Sequence, residues 1–169
     1  MATKKFKLTD DTIVIDGITL HRIKALRSFG NVTKGNLGGW VEKEENLSQL
    51  GDAWIDENAK VYGNARIGGN ASIYDDVTIY GHARIYGCAR IYGHSRITDD
   101  VYIHGNANIY GYSIIHGTAN VYGDSKIHGV SNVCGNANIH GNAEISDGAR
   151  CSGNAEICGD AKVCHICNK

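Results

Sequence analysis

Guanidinium groups and phenol rings are the side chains of this sequence best suited to holding a ligand. All nine tyrosines fall between Tyr62 and Tyr122, and Arg66, Arg84, Arg90 and Arg96 lie in the same stretch. Several pairs are two residues apart, as in Arg84-Ile85-Tyr86 and Arg90-Ile91-Tyr92. In an extended segment, residues two apart point to the same side. An aromatic plane beside a guanidinium suits a ligand that carries a flat base and a phosphate. The same residues also suit a plain β surface, because cross-strand tyrosine ladders stabilise one without any ligand.

Histidine and cysteine offer other chemistry. A catalytic histidine needs an orienting partner and a restricted pocket. Six of the eight histidines (His82, His94, His104, His116, His128 and His140) occupy positions that elsewhere carry Asn or Tyr, which reads as polar surface filling. Cys151, Cys158, Cys164 and Cys167 crowd the last 19 residues. In Cys164-His165-Ile166-Cys167 the two cysteines could supply half of a zinc site, with Cys158 and His165 as the other half. Free cysteine is also a good small hydrophobe, so we expect packing and no metal. There is no Gly-x-Ser-x-Gly nucleophile elbow and no Gly-x-x-x-x-Gly-Lys-Ser/Thr phosphate loop.

Those side chains need a scaffold, and composition bounds it. The length of 169 residues is about one domain's worth. A hydrophobic share of 42% with a net charge of −1 excludes a disordered chain. The near-zero charge also removes the simplest case for binding a nucleic-acid polymer. Phe, Trp and Met total five against 22 glycines and no proline, too few large side chains for a conventional layered core. No run approaches the roughly 18 apolar residues of a membrane helix, and the Met1–Lys7 start lacks a secretory apolar core. The expectation is a cytoplasmic protein with no membrane partner, its cysteines present as thiols.

A repeat fills most of the chain. From Gly51 to Cys164 the sequence reads as 19 hexads without insertion, such as Gly63-Asn64-Ala65-Arg66-Ile67-Gly68 and Gly153-Asn154-Ala155-Glu156-Ile157-Cys158. Slot five is aliphatic in every hexad but the one holding Cys151, and slot three is Ala or Ser except at Val77 and Val101. Alternation across slots three to six makes a short strand with two residues in and two out. The Gly-Asn pair at slots one and two makes the bend. Such a unit every six residues is an all-β solenoid, stabilised by stacking coils about 4.8 Å apart. Periodicity alone allows two or three hexads per coil.

Residues 1–50 lack the repeat. Thr12–Ile23 reads as a hairpin turning at Asp16-Gly17. A solenoid end exposes strand edges and an apolar cross-section, so this segment is expected to be an N-terminal cap, with Phe29 and Trp40 over the first coil. The domains are then a cap at 1–50, a solenoid at 51–164 and a tail at 165–169.

The string Ser28-Phe29-Gly30-Asn31-Val32, Gly38-Gly39-Trp40-Val41, Asn46-Leu47-Ser48-Gln49 and Gly51-Asp52-Ala53-Trp54-Ile55 resembles the start of YdcK-type hexapeptide-repeat proteins of bacteria and phages. The Ile-x-Gly-Asn-Ala-x motif is similar to that of left-handed parallel β-helices. The resemblance implies three hexads per coil, just over six coils and a rod of roughly 30 Å. Three per coil would file Ser72/Tyr74, Arg90/Tyr92, Asn108/Tyr110 and Lys126/His128 along one face. Arg66/Gly68, Arg84/Tyr86, Tyr102/His104 and Asn120/Tyr122 would file along another.

The third face would carry Tyr112, Ile114, Val130 and Cys134, an apolar cluster that marks a contact. The resemblance implies a side-by-side homotrimer, with this face contributing and the Arg/Tyr faces bordering the crevices between subunits. The expected ligand residues are Arg66, Arg84, Arg90, Tyr74, Tyr86, Tyr92, Tyr110 and His104. The expected function is non-catalytic holding of a small anionic, nucleotide-like ligand, without a cofactor; in a phage relative this would be a sponge for a host immune signal. Relatives of this fold that transfer acyl groups from acyl-CoA use a histidine base and a loop that interrupts the coils. Here the hexads run on, though His82, His94 and His104 would be the first candidates. A rigid structural rod is the remaining alternative.

Overall fold

A computed structural model describes residues 4–164. It is a parallel β-solenoid of seven coils with three faces. One sheet has seven strands from Trp54–Ile55 to Lys162–Val163, a second has six from Arg66–Ile67 to Glu156–Ile157, and a third has nine. We call them the tyrosine face, the arginine face and the hairpin face. Ile73 pairs with Ile91, and Ile91 with Ile109, so neighbours are 18 residues apart and each coil takes three hexads.

Each coil strand is two residues long because slot four faces out, slot five faces in, and the chain must then bend. Slot five is closed to solvent from Ile55 through Ile145, and slot-three Ala and Val are equally buried. Serine fills slot three at Ser95, Ser113, Ser125 and Ser131, and in all of these but Ser125 the hydroxyl donates to the carbonyl three residues back, 2.6–3.0 Å away. That satisfies a buried polar group locally. Backbone N–H groups donate one coil onward, as from Arg84 to Val101 at 2.8 Å and from Tyr86 to Ile103 at 2.9 Å. Cys151 takes its slot-five place in the core, and burial first, then Cys134 beside it, pushes its thiol up to about 11.

Corner geometry explains slot one. Gly87 has φ +68°, and a Cβ there would lie 2.7 Å from both N and O of Gly105 in the next coil. Only glycine fits such an approach freely. At Asp75 and Asp99 in slot one, the side chain turns outward and joins the next coil instead. Asp75 Oδ2 accepts from Gly93 N at 2.8 Å, and Asp99 Oδ2 accepts from Gly117 N at 2.9 Å.

The cap contains the expected hairpin. Strand β1 (Phe6–Ile15) pairs antiparallel with β2 (Ile18–Ala25) through Asp16 and Gly17, both at positive φ. Strand β2 pairs with β3 (Leu37–Val41), and β3 runs parallel to Lys60–Val61, so the hairpin extends the third sheet. The coil begins earlier than the hexads suggest. Val41 pairs with Val61 and Leu47 bridges to Ile67, giving two rungs before Gly51. Eight residues separate Leu47 from Ile55 in place of six, and this shift of phase hides those rungs in the sequence.

Trp40 does not cover the core. It sits in the outward position opposite Lys60, with the Arg22 guanidinium 5.2 Å over its ring. Phe6, Ile23, Phe29 and Leu47 close the apolar end, with Phe29 edge-on to Trp54 at 5.4 Å. Lys5 is fully buried there; its Nζ donates to the Ala53 carbonyl at 2.8 Å and lies 5.1 Å from the Phe29 ring centre. Burial, aided by the nearby Arg27 charge and opposed by Asp52, lowers its pKa to about 8.

Candidate ligand-binding face

The register brings the predicted residues into two files. On the tyrosine face, Tyr74, Tyr92 and Tyr110 stack at 5.0 Å with ring planes within 6° of parallel, and His128 continues the stack at 4.8 Å. Each inner ring is covered on both sides, so this ladder presents edges and hydroxyls, not planes. The free side of Tyr74 opens on a hollow of about 370 Å³ shared with Trp54, Asp52, Asp56 and Glu57. Its carboxylates disfavour an anion there. Glu57 is itself held above the usual carboxylate range, chiefly by its hydrogen bond to Asp75. Arg90 lines a separate groove of about 500 Å³ with Cys88, Asn108, Asp124 and Lys126.

The arginine face is arranged differently. Arg66 pairs with Arg84 in register, and Arg84 with Tyr102. Both arginines are exposed, and none of the ion pairs among the described residues involves them. Like charges placed directly opposite across two strands are destabilising, and no ion pair among the described residues offsets this one.

Slot six of the same face runs Gly68, Tyr86, His104, Tyr122, His140. His104, Tyr122 and His140 stack at 4.9 and 4.8 Å. Tyr86 leaves the file and leans over Gly68, where a Cβ would come within 2.7 Å of Tyr86 Cε1. It meets Tyr102 edge-on at 6.4 Å and 72°, while Tyr102 lies against His104 at 4.5 Å. The ladder is thus broken beside the two arginines. A cleft of about 350 Å³ opens there, lined by Arg66, Ile67, Tyr86 and the cap residues Glu44, Glu45, Leu47, Ser48 and Gln49. A 3-10 turn at Glu44–Asn46 builds the cap side. Asn46 holds the turn by donating to the Ala65 carbonyl at 2.9 Å and the Gly63 carbonyl at 3.2 Å.

The shortest histidine–carboxylate contacts lie outside the first candidates His82, His94 and His104. His128 Nε2 is 3.0 Å from Glu144 Oε1, and His140 Nε2 is 3.4 Å from Glu156 Oε1. His128, followed by Lys162, holds the Glu144 carboxyl below the usual range. His94 is 3.7 Å from Asp76, whereas His82 and His104 have no ion-pair partner among the described residues. None of the clefts above is lined by a histidine.

On the hairpin face, Tyr112, Ile114 and Val130 are 59%, 40% and 68% exposed, while Cys134, expected in the same cluster, is buried at 7%. Tyr112 stacks on His94 at 4.8 Å. Cys158 and Cys164 follow strands of different sheets, and His165, Ile166 and Cys167 lie outside the described residues. Among the described residues no three metal-ligating side chains gather, and no helix is long and apolar enough to cross a membrane. No protein-family model matches the chain, and no curated protein matches it either.

The Gly68 gap was legible, since no other slot six in the repeat is glycine. The place of Glu45 on the cleft was not, because the cap residues carry no periodic signal.

Proposed function

We propose that the protein holds a small anionic, nucleotide-like ligand on its arginine face and does not convert it. The observation that carries this reading is the in-register pair of exposed guanidiniums, Arg66 and Arg84, without a carboxylate partner. A phosphate bridging the two would remove their repulsion and accept paired hydrogen bonds from each. Tyr86, out of its ladder, supplies an aromatic surface for a base. Tyr74, Tyr92 and Tyr110 contribute less, because their ring faces are covered or acid-lined, and Arg90 opens on a separate groove that also holds Asp124.

The exposed Tyr112, Ile114 and Val130 cluster supports side-by-side association into a trimer. The free thiols among the described residues support a reducing compartment such as the cytoplasm. Acyl transfer draws support only from the His128–Glu144 contact, and neither residue lines the clefts described above.

A thermal-shift screen with nucleotides, nucleotide sugars and acyl-CoA tests the reading. A ligand at 100 times its Kd adds about 2.7 kcal/mol, so a nucleotide should raise the Tm by several degrees, and Arg84→Ala should abolish the shift. A response to acyl-CoA alone, or to nothing, would overturn the proposal.

A further inference from the structure

The broken ladder also constrains which base the ligand carries. The cleft beside Tyr86 is lined by Arg66, with Arg84 next to it in register one coil on, and by the acidic cap residues Glu44 and Glu45. Most polar groups on the cap wall are already engaged. Glu44 is paired with Lys4 at 2.8 Å. Gln49 Oε1 accepts from Lys5 N at 2.7 Å, and Ser48 Oγ accepts from Leu50 N at 3.1 Å. Glu45 differs. It is exposed, it lines both this cleft and the neighbouring one formed by Lys43, Asn64 and Arg66, and no salt bridge among the described residues includes it. Arg66 and Glu45 face the same space without closing on each other.

A ligand that satisfies both walls must present an anion at one end and hydrogen-bond donors at the other. An ionised carboxylate only accepts, and its two oxygens match two adjacent N–H donors. Among the common bases, guanine offers such an edge, at N1 and the exocyclic N2. Adenine offers a ring acceptor beside a single amino group, and uracil a single N–H between two carbonyls. We propose that Glu45 reads a guanine-type edge, so that the site selects guanine nucleotides, with Arg66 and Arg84 on the phosphate and Tyr86 against the base. This rests on the anion-holding reading and adds the choice of base to it.

Titration calorimetry of the full chain with GMP, IMP and AMP separates the two claims. IMP keeps N1–H and lacks the N2 amine. Affinity should fall in the order GMP, IMP, AMP, with GMP at least about tenfold tighter than AMP, as a good bidentate base contact discriminates. Glu45→Gln should bring the GMP/AMP ratio close to one, with circular dichroism and Tm confirming the fold. Gly68→Ala, which pushes on Tyr86, should weaken all three. Equal binding of GMP and AMP by the unaltered chain, or a ratio that survives Glu45→Gln, would overturn the choice of base and leave the anion site standing. Failure of all three nucleotides to bind would overturn both.

Discussion

Single residues explain where this repeat departs from its own rule. Glu57 stands in slot one with φ +53°, a left-handed conformation that suits Gly, and its carboxyl is held above the usual range. A raised carboxyl pKa means that the fold prefers the neutral form, so ionisation opposes folding above the ordinary value. Glu57→Gly should therefore stabilise at pH 7, by about 1 kcal/mol from the backbone alone, and by less at pH 4, where the unfolded carboxyl is also mostly protonated. Thermal melts at the two pH values check this, and a lower Tm at pH 7 would refute it. Lys5 gives a second test. Its pKa is lowered to about 8, so above that pH the unfolded chain binds more protons than the folded one, and stability should rise from pH 8 towards 10. Beyond pH 10 the trend should reverse, because burial raises the pKa of Tyr62, Tyr74 and Tyr110 in the folded state. Lys5→Met should flatten the rise between pH 8 and 10 in a series of melts.

The element that matters is the coil, and its alternation was readable from slots three to six. The winding number was not contained in the period; it required the 18-residue pairing of Ile73 with Ile91. The hairpin was legible from Asp16-Gly17, whereas the rungs at Val41 and Leu47 were hidden by the two extra residues before Ile55. Trp40 was misplaced for the same reason, since its side of the strand follows from that hidden register. Corners set a sharper demand than cores. At Gly87 a Cβ would meet backbone atoms of Gly105, which cannot withdraw without moving the coil. Gly87→Val should cost more than Gly87→Asp, because Asp75 and Asp99 show that a carboxylate can turn outward and take the next coil's N–H. We expect about 1 kcal/mol for Asp and 3 kcal/mol or more for Val, measured by urea unfolding. Equal losses would contradict this account of the corner.

At the scale of the molecule, the rod is electrically lopsided despite its net charge of −1. From Lys60 to Arg96 there are five basic residues and two acidic ones; from Asp99 to Cys164 there are three and seven. The asymmetry was visible in the sequence, and the structure concentrates part of it into the Arg66/Arg84 pair beside the cap. The apolar patch of Tyr112, Ile114 and Val130 lies on another face than Arg66 and Arg84. Val130→Asp should shift a trimer to monomer in light scattering, and a particle mass unaffected by the change would remove that patch from the interface. The central claim is that the two guanidiniums hold an anion. Its most direct test is a low-salt calorimetric titration of GMP into the unaltered chain and into Arg66→Ala/Arg84→Ala. The account predicts saturable binding with one site per chain, weakened at least tenfold in the double variant. Identical isotherms for the two proteins would contradict it.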